Sequence, residues 1–238
     1  TTRTRTSPWA GSVTSRSFGS RTDESPVRVY TIAGEVIPGS TRLEGPDVPF
    51  EAIGVCMTGY QCSTKEAYSM NHNDLLTDAF GRIKELVHSV LDDIPAAALT
   101  YRPDADANSI AWLLWHLTRV QDDHIAGVAG SEQVWTSDSW FERFGLPFDK
   151  SDIGYGQSSS DVAQVTSSAE LLREYHDAVH SKTVAYLSGI STDDLDRIVD
   201  ENWDPPVTLG ARLVSVVSDD LQHAGQASYV LGLYTRQA

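Results

Sequence analysis

Beyond Met70 the sequence predicts an all-α domain, a four-helix bundle. Three observations predict it: four long segments carry apolar residues at three- and four-residue steps, residues that start or stop helices bound them, and each is about 20 residues long. At about 1.5 Å per residue such helices span a small domain, and four amphipathic stripes bury one another most simply as a bundle. The 169 residues from Met70 onward suffice for one core.

The first helix is predicted over residues 73–94, with Leu76, Phe80, Ile83, Val87, Val90 and Leu91 in line and Pro95 as its stop. The second starts behind Asn108 or Ser109, both N-cap types, and runs through IAWLLWHLTRVQDDHIAGVAG to Gly130. The third, residues 168–187, aligns Leu171, Leu172, Tyr175, Ala178, Val179 and Tyr186 and closes near Gly189. The fourth follows Pro205 and Pro206 and spans about residues 209–234, with Leu213, Val217, Leu221, Ala224, Ser228 and Leu231 in line. Residues 131–167 form a long connection carrying Trp135, Trp140, Phe141, Phe144 and GYGQSSS. Loops of that length are functional or mobile. This one can cover an end of the bundle, and it permits a crossover, so the second and third helices need not be antiparallel neighbours.

Residues 1–69 read as a separate N-terminal extension. They carry 7 basic and 7 acidic side chains against 11 and 26 afterwards, hold both cysteines and none of the seven histidines, and include 19 Ser or Thr. The opening stretch has no apolar period and reads as disordered, while VRVYTI (27–32) and residues 53–55 resemble short strands between turn-forming Pro and Gly. A β appendage is one reading; the other is that Met70 is the natural start. Cys56 and Cys62 match no strong metal or redox spacing.

The net charge of −15 lies wholly in residues 70–238 and repels phosphate backbones and anionic membranes, so neither nucleic acid nor membrane is an expected partner. With no apolar run long enough to span a bilayer, the expectation is a soluble, cytoplasmic protein. The absence of cysteine after Met70 removes disulfides, thiolate metal sites and a cysteine nucleophile from that part. Phosphate-loop, GxGxxG, GxSxG and HExxH signatures are absent, and the GYGQ at 154–157 reads as a turn, with nothing basic behind it to hold a phosphate.

Histidine and carboxylate on helices remain. His116 sits at the seam of the Leu113, Leu117, Val120 stripe, and His223 is flanked by a second apolar row of Val216, Ala227 and Val230, so both can face inward. Asp219 precedes His223 by one turn; groups at i and i+4 lie about 40° apart, a spacing at which one helix offers two ligands to one ion. His116 from a facing helix would complete two imidazoles and a carboxylate, leaving positions open for water or substrate. By spacing alone a DxxxH pair is also a common accident in an Asp-rich chain.

WLLWHLTRVQDDH and DDLQHAGQASYVLGL, which carry His116 and His223, resemble the second and fourth helices of the DinB-like superfamily, which includes bacillithiol- and mycothiol-dependent enzymes. The resemblance covers residues 70–238 and implies an up-down-down-up four-helix bundle, often a homodimer, binding one divalent ion (Zn, Ni, Mn or Fe) through a His of helix two and an HxxxH pair on helix four. His223 with Gly225-Gln226 fits the later His of that pair; the earlier one falls on Asp219, a departure that leaves either a two-histidine, one-aspartate site or a degenerate one. It also implies a low-molecular-weight thiol cosubstrate, acting with a small-molecule substrate.

Rivals stand beside this set. Asp220 lies between the two apolar rows of helix four and is by period an alternative ligand, since a buried carboxylate should be paired or bound. His124 falls near the centre of the helix-two stripe, where it is either a hydrogen-bonded core histidine or a ligand or acid/base group. Asp123 returns to the face of His116 and can orient its ring, or be one more solvated Asp. Arg119 can hold an anionic substrate group, or make a surface ion pair. The HxxxH of His176 and His180 falls on a solvated face, and His72 and His88 are structural. Of the tryptophans, assigned mostly to the core, Trp112 can line a pocket beside His116. The leading expectation is a metal-dependent thiol S-transferase or hydrolase acting on a small electrophile. The alternative is a non-catalytic small-ligand or stress-related bundle with a weakened site, and a surface-acting dimeric scaffold is a third reading.

Overall fold

The computed structural model describes residues 70–237. The expected N-terminal extension of residues 1–69, with its strand-like segments and with Cys56 and Cys62, lies outside the described residues. Along the described chain run α1 (His72–Leu91), α2 (Ala96–Leu99), α3 (Ile110–Ala129), α4 (Val134–Ser137), α5 (Trp140–Phe144), α6 (Ser159–Val162), α7 (Ala169–Leu187), a 3-10 turn (Asp193–Asp196), β1 (Ile198–Asp200), β2 (Val207–Thr208) and α8 (Leu209–Thr235). No helix among these is long and apolar enough to cross a membrane.

The four long helices start where their caps dictate. Asn71 accepts the backbone N–H of Asn73 and Asp74 while the Asp74 carboxylate accepts that of Asn71, a reciprocal capping box. Ser109, Ser168 and Thr208 cap α3, α7 and α8 through the N–H of Trp112, Leu171 and Ala211. Each such oxygen is worth about 1 kcal/mol. α3 stops at Gly130 in the left-handed region, φ 63°, as its glycine predicts. α1 ends at Leu91, short of the expected residue 94, where Asp93 turns to φ 51° and breaks the helical path.

α1 packs against α7 and α8, and α3 packs against the same two. Contacts at the ends give the directions. Asn73 donates to the carbonyl of Ile190 beyond the end of α7, and Arg173 near its start binds Asp92 beyond the end of α1, so α1 and α7 are antiparallel. Arg119 bonds Tyr175 while Arg197 joins the carbonyl of Val128 to the Tyr186 hydroxyl, so α3 and α7 run parallel. One groove lines Asn108 and Leu113 against Tyr229 and Leu233, and His116 meets His223 deeper in, so α3 and α8 are antiparallel. This is the up-down-down-up arrangement, and its parallel pair requires residues 130–168 to return the length of the bundle. That return carries α4 to α6 and packs Trp135, Trp140 and Phe144 around Tyr175. Trp203 departs from the core expectation and stands 44% exposed on the β1–β2 connection.

α7 corrects one expectation. Its buried residues are Leu172, Tyr175, His176, Val179, Thr183 and Leu187. His176, assigned to a solvated face, is wholly buried, and His180 is half-buried. The helix is enclosed by α1 as well as α3, so its buried arc is wider than one apolar stripe suggests. His88 on α1 meets Asp177 of α7 at 2.8 Å, a bridge across that enclosure. Neither ring nitrogen of His176 has a partner among the described residues, and burial, then repulsion from His180, holds its pKa down at about 3 from the usual 6.5. The unfolded chain therefore takes up a proton that the folded chain refuses, and stability present above pH 6.5 is lost as pH falls toward 3. Urea melts of His176→Leu are expected to gain about 2 kcal/mol on wild type between about pH 7 and pH 5. Equal pH slopes for the two proteins would contradict the burial of a neutral imidazole.

Candidate metal centre

One nitrogen each of His116 and His223 and one carboxylate oxygen of Asp219 lie within 4.8 Å of one another. The antiparallel pair α3/α8 brings them together: His116 is 5% exposed on α3, Asp219 and His223 stand one turn apart on α8, and the two imidazole centroids are 4.7 Å apart. The rings are oriented by their second nitrogens. His116 Nδ1 donates to the carbonyl of Ile153, and His223 Nδ1 donates to the carbonyl of Asp219 at 2.8 Å. A carbonyl only accepts, so both Nδ1 atoms carry the proton and both Nε2 atoms keep a lone pair. The Asp219 Oδ2 atom is buried and has no hydrogen-bond partner among the described residues. That oxygen lies 3.3 Å from His223 Nδ1, and two imidazoles gathered with a carboxylate in this way fit a divalent ion of the Zn, Ni, Mn or Fe(II) type.

The connection between α3 and α7 closes the site. Gly154 has φ +94°, and a Cβ there would meet His116 Nδ1 at 2.7 Å, Trp115 at 3.1 Å and Trp112 at 3.2 Å. Glycine thus serves both the turn and the close approach of backbone to imidazole. Trp112 stacks on His116, centroids 4.6 Å apart and 17° from parallel, and its Nε1 donates to Gln157 Oε1 at 2.7 Å. Trp112 lines the site as the sequence suggests. The roles of Ile153, Gly154 and Gln157 go beyond the turn read from GYGQ, because a main-chain carbonyl and an absent Cβ leave no side-chain signature.

Burial pushes the His116 pKa down, opposed by the Ile153 bond and reinforced by His223. Burial also lowers the pKa of His223, but the bonds and charge of Asp219 outweigh it and leave it raised. For Asp219 burial pushes up, and His223, then His116 and His124, outweigh it, so its carboxyl is held below the usual range. The aspartate is thus anionic and ready to accept a cation.

The remaining candidates fall elsewhere. Asp220 is wholly buried, and burial, then the neighbouring Asp219, drives its pKa well up; a neutral acid is a poor ligand, and it is not one of the converging groups. Asp123 does not orient His116: its carboxylate accepts Gln133 Nε2 at 2.7 Å, and the Ile153 carbonyl takes the orienting role. His124 is not a core histidine; its side chain is 29% exposed beside Asp123, with its pKa lowered by burial and then by Arg212. Arg119 is fully buried, so it does not make the surface ion pair that is one of its two expected roles. Its guanidinium bonds Gln133, Tyr175 and the carbonyls of Asp152 and Lys150, lies 3.7 Å from Asp122 and covers the Trp135 ring, stapling the crossover to α3. Period misplaced these residues because α3 is buried all round from Ile110 to Asp122, so no single face marks its interior.

A helical bundle holding such a centre is the architecture of a family. The sequence profile of the DinB superfamily matches residues 79–227, and the chain belongs to that superfamily. Among solved structures it is similar to a conserved protein from Enterococcus faecalis, with 31% identity, a TM-score of 0.64 and coverage of 68% of this chain and 96% of that one. No curated protein matches.

Proposed function

We propose that this chain is a divalent-metal-dependent enzyme, a thiol S-transferase or metal-assisted hydrolase acting on a small electrophile, with His116, Asp219 and His223 as the ligands. The observation that carries the reading is the gathering of one ligand atom each from His116, Asp219 and His223 within 4.8 Å, with the Asp219 Oδ2 atom buried and making no hydrogen bond among the described residues. A bound divalent ion lowers the pKa of a coordinated water or thiol and polarises an electrophile. The protein's own groups do the rest. Ile153 and the Asp219 carbonyl fix the two imidazole tautomers, Trp112 and Gly154 shield His116 from water, and half-buried His124 stands near enough to Asp219 to feel its charge. With no cysteine after Met70, the thiol would arrive as a low-molecular-weight cosubstrate. A homodimer accords with the exposed Val214, Leu221 and Tyr229 on α8 and Leu75 on α1, apolar positions on a strongly acidic molecule.

The test is metal content of the full chain after loading with Zn, Ni, Mn or Fe(II) and dialysis, followed by thiol conjugation of a bimane halide. The expected result is about one ion per chain and conjugation that requires it. A chain that retains none of the four metals would instead be a non-catalytic bundle.

A further inference from the structure

Along the packed seam of α3 and α8 that holds the candidate centre lies a second polar group. Arg212 precedes Asp219 by seven residues on α8, so it returns to nearly the same face about 10 Å away. On α3, Asp123 follows His116 by the same interval, and the antiparallel packing sets His124 close enough to Arg212 to feel its charge. The guanidinium is 18% exposed, and its Nη2 donates to Asp200 Oδ2 at 2.8 Å. Asp200 is itself held by the backbone N–H of Asn202 (3.0 Å), Asn202 Nδ2 (2.9 Å) and Trp203 Nε1 (3.2 Å), all on the β1–β2 ribbon. Asp200 therefore fixes one nitrogen of the fork. Among the described residues the other N–H groups of Arg212 make no hydrogen bond. The Asp123 carboxylate on the facing helix is turned to Gln133.

We propose that Arg212 receives the carboxylate of a molecule whose other end reaches the His116, Asp219 and His223 centre. A guanidinium with an open edge offers parallel N–H donors in the geometry of a carboxylate, and such charge-assisted pairs are about twice as strong as neutral ones. A mere staple between ribbon and helix would use the same single bond but would not need Arg212 to share a helix face with Asp219. The inference rests on the metal reading above and assigns the anion-holding role to α8, where the sequence pointed to Arg119.

The test uses the full chain loaded with Co(II) and follows the thiolate-to-metal absorption band. Mercaptohexanoate is expected to bind at least about tenfold more tightly than uncharged mercaptohexanol, and mercaptoacetate, too short to reach Arg212, to show no such gain. R212Q should abolish the difference and R212K keep part of it, with circular dichroism and cobalt content confirming fold and loading. Hexanoate that competes with mercaptohexanoate but not with mercaptohexanol places the carboxylate of an acidic electrophile on the fork; absence of competition assigns the fork to the carboxylate of the thiol itself. Equal binding of the two long thiols by loaded wild type, or an advantage that survives R212Q, overturns the inference. Failure to load cobalt is seen before any thiol is added and overturns the metal reading, and this inference with it.

Discussion

Replacing His223 with alanine is expected to cost the chain its divalent ion while leaving the bundle folded. The ring is half-buried and its polar contacts are both to Asp219 in its own helix, the carbonyl at 2.8 Å and the carboxylate at 3.3 Å, so its removal opens little of the core. It does remove one of three converging donors. The affinity loss should exceed the 10- to 100-fold typical of losing a supporting hydrogen bond. Asp219→Asn keeps the shape but removes the charge that raises the His223 pKa. In wild type a proton therefore competes with the ion up to a higher pH than an ordinary histidine allows, and retention falls as pH drops through that raised value. In Asp219→Asn affinity at neutral pH is lower, but the acid-side loss moves to lower pH. Metal titrations across pH, with far-ultraviolet circular dichroism as the folding control, read both effects. Wild-type affinity in His223→Ala would remove His223 from the ligand set.

Gly154→Ala is expected to weaken metal binding through a residue that donates nothing to the ion. Its φ of +94° costs an L side chain on the order of 1–2 kcal/mol. The new methyl would also press on the rings of His116, Trp115 and Trp112, which are packed in the core and cannot yield cheaply. Together these amount to about 3 kcal/mol, divided between lower stability and a His116 imidazole displaced from the Ile153 carbonyl. Gly156→Ala is the matched control: its φ is +73°, but no atom lies within 4 Å of the added Cβ. Thermal melts and metal titrations of the pair separate strain from contact. If Gly154→Ala binds the ion as wild type does, the roof does not set the position of His116.

The long helices and their caps were legible because each rests on local chemistry: Ser109, Ser168, Gly130 and the apolar spacings act within a turn of themselves. The grouping of His116, Asp219 and His223 was legible from the one helix face that two of them share together with the resemblance of both segments to DinB-like helices. Legibility ended where an element has more than one packed side. α3 is covered by α7, α8 and the crossover, so Arg119 and His124 exchanged the surroundings that a single stripe assigns them, and α7 drew His176 inward for the same reason. Main-chain contacts were invisible throughout: Ile153 orients His116 with an oxygen that every residue possesses. Arg212 and Asp200 meet only through the β1–β2 ribbon, whose pairing lies in a segment with no marked period.

The parallel course of α3 and α7 has an outcome beyond topology. A parallel pair needs a return path, and here that path runs over His116 before α7 begins. The cradle of the centre comes from α3 and α8, whose register is fixed by the bundle, while its roof comes from a connection that must span the bundle but whose path the four long helices do not dictate. Cradle and roof are thus separable inheritances. Apart from Ile153, Gly154 and Gln157 at the centre and the aromatic residues packed on Tyr175, the sequence between Gly130 and Ser168 can vary without moving the ligand-bearing helices, as loops on a fixed scaffold do.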